Sequence, residues 1–126
     1  MNIIVAGSRT IDDYDFVKRH LDRLTRKLDL TPYKSKVVIF SGGDEGVDKL
    51  GEQWAYEKRL TCRVFHADWK GKGKAAGPIR NGEMIKQAKA LIAFWDGKSP
   101  GTKDVVEKAE KAELKVRVIL WKIKNS

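Results

Sequence analysis

The sequence predicts an α/β domain built on an open, doubly wound and mostly parallel five-stranded sheet. Short β-rich runs alternate with helical patterns from one end of the 126 residues to the other. The apolar runs are continuous rather than alternating, as strands covered on both faces require. Loops rich in Gly, Ser and Thr follow the runs where a strand must give way to a helix. Right-handed crossovers between such units give the strand order 3-2-1-4-5, with a helix layer on each side in an α/β/α arrangement. The length suits a single domain spanning residues 1–126.

The elements follow in order. Asn2 to Ala6 reads as a buried strand ending in Gly7-Ser8-Arg9. Tyr14, Val17, Leu21, Leu24 and Leu28 recur at helical spacing, with Asp12 or Asp13 placed to cap the start and Pro32 ending the pattern. Val37 to Phe40 is a second strand, closed by Ser41-Gly42-Gly43. Val47, Leu50, Gly51, Trp54 and Ala55 mark a second helix face. Arg63-Val64-Phe65 is a short third strand, followed by a long loop from His66 to Gly77 that carries the basic run Lys70 to Lys74. Pro78 suits the first turn of a third helix with Met84, Ile85 and Ala88 inward. Ala90 to Trp95 is a fourth strand. Pro100-Gly101-Thr102 opens a helix facing inward with Val105, Val106, Ala109 and Ala112, and Lys115 to Trp121 closes the series as a strand.

Composition narrows the class. Leu, Ile, Val and Phe make up about a quarter of the chain, above the roughly one-fifth below which chains stay disordered. The formal charge is +9 and the pI near 9.7, so the protein is basic but able to fold. No run is apolar for long enough to cross a bilayer or form a signal-peptide core, so no membrane partner is expected. Cys62 is the only cysteine and His20 and His66 the only histidines, which excludes an intramolecular disulfide and gives a metal site few ligands. A reducing compartment, the cytoplasm, is the expected location.

In a sheet of this order, ligands bind beyond the carboxyl ends of the strands where the winding reverses, here between strands one and four. Three loops converge there: Gly7-Ser8-Arg9-Thr10, Ser41-Gly42-Gly43 through Gly46, and Gly97 through Ser99-Pro100-Gly101-Thr102. Each leads to a helix N-terminus, where unpaired N–H groups and the positive end of the dipole favour an anion. A single glycine turn is explained by sterics alone; three together, each with Ser or Thr, point to phosphate. None matches a Walker A loop or the dinucleotide fingerprint, so neither ATP hydrolysis nor hydride transfer is supported and no resident cofactor is expected. Arg80 and Asn81 open the third helix, where an arginine opposes the dipole and needs another reason to be present: a clamp on phosphate or carboxylate. Trp69 and Trp95 are candidates for stacking on a base, whereas Trp54 and Trp121 suit packing. Asp48 and Glu52, four apart on one helix face, suit a surface or ribose-facing position.

These segments together resemble the SLOG superfamily, and most closely its small stand-alone branch related to the YspA and YpsA proteins. The matching pieces are Ile4 to Arg9, Ser41-Gly42-Gly43 through Gly46-Val47-Asp48, Glu52 to Ala55, Ala67-Asp68-Trp69, Gly73 to Asn81, and Leu91 to Gly97 with Ser99 to Thr102. The resemblance implies a Rossmann-like fold and a nucleotide or nucleotide-derived ligand. Members include phosphoribohydrolases that release a base from a nucleoside monophosphate, sensors of nucleotide signals in antiphage defence, and a distant DNA-processing branch that binds single-stranded DNA. It also allows a homodimer. Arg80 and Met84 fit the hydrolase pattern of an Arg four residues before a Met, and Gly101-Thr102 fits part of its glycine-rich turn. Two departures stand out. Val105 occupies the position of the hydrolase glutamate, with Asp104 and Glu107 expected to point elsewhere, and Asp44-Glu45 replaces a small residue followed by a basic one. Loss of the glutamate removes a carboxylate that would stabilise an oxocarbenium-like transition state.

The expectation is therefore a non-catalytic binder of a nucleotide-derived molecule, a sensor or a sequestering protein. Its ligand-binding candidates are Gly7, Ser8, Arg9, Ser41, Gly42, Gly43, Asp48, Arg80, Asn81, Ser99, Gly101 and Thr102. The first alternative is a phosphoribohydrolase or N-glycosidase using Arg80 with Asp48, Glu45 or Glu52. The second is a nucleic-acid-binding module, suggested by the net charge, although the cations at 18, 19, 23, 26 and 27 and at 108, 111 and 115 read as scattered over helix faces.

Overall fold

A computed structural model describes residues 1–122. Its strands are β1 (Asn2–Gly7), β2 (Val38–Ser41), β3 (Thr61–Val64), β4 (Ala90–Trp95) and β5 (Lys115–Leu120). Its helices are α1 (Tyr14–Leu24), α2 (Val47–Glu57), α3 (Trp69–Lys72), α4 (Ala76–Gln87) and α5 (Pro100–Lys111), with a 3-10 turn at Gly73–Ala75. The sheet is parallel throughout and runs β3-β2-β1-β4-β5, the order the crossovers predict.

The two-residue period of the central strands divides the core. Ile3, Val5, Ile92 and Phe94 face α1 and α2, whereas Ile4, Ala6, Leu91 and Ala93 face α4 and α5. Full burial of each large aliphatic side chain contributes about 1.5–3 kcal/mol, so β1 and β4 form the rigid spine of the molecule. The edge strands differ: no residue of β3 or β5 is fully buried, because only one neighbouring strand covers each. Trp54 on α2 is fully buried and its indole N–H donates to Asp22 on α1 at 2.9 Å, tying the two helices of that layer together.

Several boundaries differ from the sequence reading. Asp13 is the α1 cap, accepting from the Phe16 amide. The helix stops at Leu24, where the Thr25 hydroxyl donates to the Leu21 carbonyl at 2.7 Å; Leu28 still packs on the core, but from a turn. β3 begins two residues earlier than the Arg63–Phe65 reading and ends at Val64. The expected loop after it holds α3 and the 3-10 turn, capped by the Asp68 carboxylate accepting from the Gly71 amide. Pro78 lies in the first turn of α4, where its missing N–H has no helical acceptor to serve. Among the described residues no helix is long and apolar enough to cross a membrane. The basic tail expected after Trp121 lies largely outside the described residues.

Candidate functional site

β1 and β4 lie side by side at the point where the winding reverses, and a crevice of about 430 Å³ opens above their carboxyl ends. Its depth depends on Gly7. A Cβ there would lie 2.4 Å from the Phe94 carbonyl and 2.6 Å from Val47, so no larger residue lets the end of β1, β4 and the start of α2 meet. The Ser8 amide then donates to the Phe94 carbonyl at 3.0 Å, and the Ser8 hydroxyl accepts from the Asp96 amide at 3.0 Å. Desolvation pushes the Asp96 carboxyl up, but the amides of Lys98 and Ser99, with the Ser99 and Ser8 hydroxyls, outweigh it and hold its pKa at about 2. That ionised carboxylate fixes the turn leading into α5.

Arg80 is the hub of the wall. It is 8% exposed. Its guanidinium donates to the Gly42 carbonyl at 2.5 Å, to the Asp44 carboxylate at 3.2 Å and to the Asn81 side-chain oxygen at 2.9 Å. Gly42 makes room for it, since a Cβ there would lie 2.7 Å from the guanidinium. Asp44 also reaches Arg9 at 3.3 Å, so one carboxylate bridges two arginines. From Arg80 the chain of bonds continues through the Asn81 amide to Asp104 at 2.9 Å, and from Asp104 to Lys108. Two loops and two helices are thereby fixed by charge-assisted bonds.

Asp48, in the first turn of α2, is 4% exposed. Burial raises its pKa to about 7, further helped by the nearby Asp44 charge and opposed by the Asp44 and Gly7 amides and by Arg80. Its carboxyl therefore exchanges its proton near neutrality.

The first turn of α5 offers a different chemistry. Ser99 precedes the helix without capping it, because its hydroxyl bonds Asp96 instead. Among the described residues the Gly101 and Thr102 amides have no hydrogen-bond acceptor, as the first turn of a helix leaves them. A Cβ at Gly101 would meet nothing within 4 Å, and its backbone is outside the left-handed region. Glycine there costs helix stability, up to about 1 kcal/mol relative to alanine, with no internal steric return. It does leave the helix end open to close approach from the crevice.

The structure brings Gly7, Ser8, Arg9, Asp48, Arg80, Asn81, Ser99, Gly101 and Thr102 to the crevice lining, together with the exposed Trp69. It leaves other candidates off that lining. The Ser41 hydroxyl is buried and engaged with Glu52 at 2.6 Å and the Gly43 amide at 3.0 Å. Gly42 seats Arg80, Gly43 faces Val64 and His66, and Glu45 is exposed. The Trp95 indole donates to the Ser99 carbonyl at 3.1 Å. Asp104, which the sequence reading pointed elsewhere, lines the crevice, and so does Lys74 from the basic run. No periodicity marks either residue; their places follow from α4 packing on α5 and from the folded segment after β3. Among the described residues no three His, Cys, Asp or Glu side chains group as a metal site.

Comparison with known proteins agrees with the fold. The gene 61 protein of Mycobacterium phage D29 is 34% identical over 120 residues, covering 90% of this chain and 92% of that protein. The crystal structure of DNA processing protein A (DprA) from Streptococcus pneumoniae superimposes with a TM-score of 0.75 at 17% identity, covering 98% of this chain. This chain spans only 52% of that one. The protein TM1055 superimposes with a TM-score of 0.66 at 16% identity, covering 91% of this chain and 71% of the other. At these identities the structural likeness is one of Rossmann-like fold. A family model described as YspA, cpYpsA-related SLOG matches residues 1–71, which include the loops after β1 and β2. The chain belongs to the YspA, cpYpsA-related SLOG family.

Proposed function

We propose that the crevice binds a nucleotide or nucleotide-derived molecule without turning it over, and that the protein acts as a sensor or sequestering factor. The observation that carries this reading is the first turn of α5: two free amides, a glycine with no internal reason to be glycine, and open space above it. Phosphate satisfies those amides and the helix dipole together. A cavity of about 430 Å³ is within the range of small-molecule sites. Arg80 holds the wall, and Asp44 and Asp48 offer acceptors to ribose hydroxyls or base amino groups. Val105 supports the non-catalytic half of the reading: it lines the crevice at 2% exposure, so the position of the hydrolase glutamate carries no charge for a developing oxocarbenium ion.

The test is thermal denaturation with a panel of nucleoside mono- and diphosphates and cyclic nucleotides. A ligand at a hundred times its Kd adds about 2.7 kcal/mol, which raises Tm by several degrees. Failure of every member, with none carried through purification, overturns the reading.

One observation favours a second reading. Asp48 has a pKa of about 7 beside the crevice, as a general acid protonating a departing base would require. Chromatography of nucleoside monophosphates after long incubation decides it. Base release that Asp48→Asn abolishes establishes an N-glycosidase; intact substrates reject it.

A further inference from the structure

The opposite end of the sheet carries a second concavity, of about 630 Å³. It lies just beyond the end of α1 at Leu24, beside the starts of β1 and β4. Its floor is apolar: Leu24 and Leu28 are half-buried there, above the almost wholly buried Ile3 and Ile92. Arg23, Arg26 and Lys27, at and just beyond the end of α1, line it together with Lys115 and Arg117 on the edge strand β5. No carboxylate lines it among the described residues. None of the five cations takes part in an ion pair among them either.

Local roles account for some of these charges singly. Arg23 complements the α1 dipole, and charged residues on β5 deter edge pairing. Neither role requires residues nearly ninety positions apart to gather round one apolar floor. Like charges gathered round one concavity repel one another, and screening over a Debye length of about 8 Å weakens that repulsion at physiological ionic strength. The arrangement is relieved by an occupant that brings carboxylates to the rim and apolar groups to the floor.

We propose that this groove docks an acidic amphipathic segment of a partner protein. The floor selects this occupant over nucleic acid. A phosphodiester backbone has no apolar group to cover Leu24 and Leu28, and no aromatic residue lines the groove for a base to stack on. An acidic segment with Leu, Ile or Phe between its carboxylates meets both surfaces. The proposal is independent of the nucleotide reading, since the groove and the crevice lie at opposite ends of the strands.

Fluorescence anisotropy at physiological salt tests it with three labelled probes: a short peptide of alternating Glu and Leu, a poly-Glu peptide of equal charge, and single- and double-stranded oligonucleotides. The Glu–Leu peptide is expected to bind about tenfold more tightly than poly-Glu, and the double variant Lys27→Glu/Lys115→Glu to weaken it by about tenfold or more. Both positions are exposed, and the milder Arg26→Gln, expected to weaken binding about twofold to threefold, guards against loss of the fold. Lys86→Glu/Lys111→Glu makes the same charge change on exposed positions away from the groove and is expected to leave affinity within about twofold. Equal losses in the two double variants, no binding or no preference over poly-Glu, or tighter binding of an oligonucleotide sensitive to Lys27 and Lys115, would each overturn it.

Discussion

The two ends of the sheet treat positive charge in opposite ways. At the carboxyl ends of the strands, Arg9, Lys74 and Arg80 share the crevice with Asp44, Asp48 and Asp104. The central arginine there is buried and bonded to backbone, carboxylate and amide at once. At the amino ends, five cations ring a groove without a carboxylate among the described residues. A net charge of +9 therefore says little about the crevice and much about the groove. In the first region charge builds geometry; in the second it remains available to a partner.

The largest expected contrast comes from removing one arginine at each end. Arg80→Met leaves the Gly42 carbonyl and the Asn81 side-chain oxygen without their donor and Asp44 with Arg9 alone, and breaking this largely buried pair costs about 3 kcal/mol. Arg117→Met on the exposed edge is expected to stay within about 0.5 kcal/mol. Urea denaturation of both variants measures the difference; similar values would erase the distinction between the two ends.

Asp48 supplies the next effect, through pH. Its folded-state pKa of about 7 lies above the unfolded value of about 3.9. The proton linkage therefore stabilises the fold fully below the unfolded value and is lost as pH rises through 7. By pH 8 the loss is on the order of 2–4 kcal/mol. Asp48→Asn keeps an acceptor for the Asp44 and Gly7 amides without ionising. Its Tm should fall less than that of the parent chain between pH 4.5 and 8, and parallel curves would show that Asp48 does not titrate in this window.

A smaller effect separates ligand from scaffold. Gly101→Ala places a methyl group in open space and improves the first turn of α5, so stability should rise by about 0.5 kcal/mol. Affinity for any crevice ligand should fall, by about tenfold if the two amides hold its phosphate. Higher stability with unchanged affinity would detach α5 from the binding reading.

Much of this architecture is legible in the sequence because it depends on short-range signals. The alternation of buried runs with helical spacing, broken by glycine turns, is enough to order the five strands, and Gly7 stands where β1 must end. What the sequence conceals arises from packing between distant segments. Gly42 reads as a phosphate turn, yet its carbonyl and its missing Cβ serve Arg80. Asp44 reads as a departure from the family pattern, yet it bridges Arg9 and Arg80. α3 is too short to show periodicity, and its lysines read as a basic run in a loop. Arg23 and Lys115 share a groove only because α1 ends early and β5 lies on the same side of the sheet.

Mass spectrometry of the small molecules released by heat from the purified protein and from Gly101→Val shows whether the first turn of α5 holds a phosphate. Valine at that position puts a branched side chain into the open space beside the first turn of α5. A phosphate-bearing, nucleotide-derived species released by the parent chain and depleted in the variant is the predicted result. The same species in equal yield from both, or only molecules lacking phosphate, would contradict it.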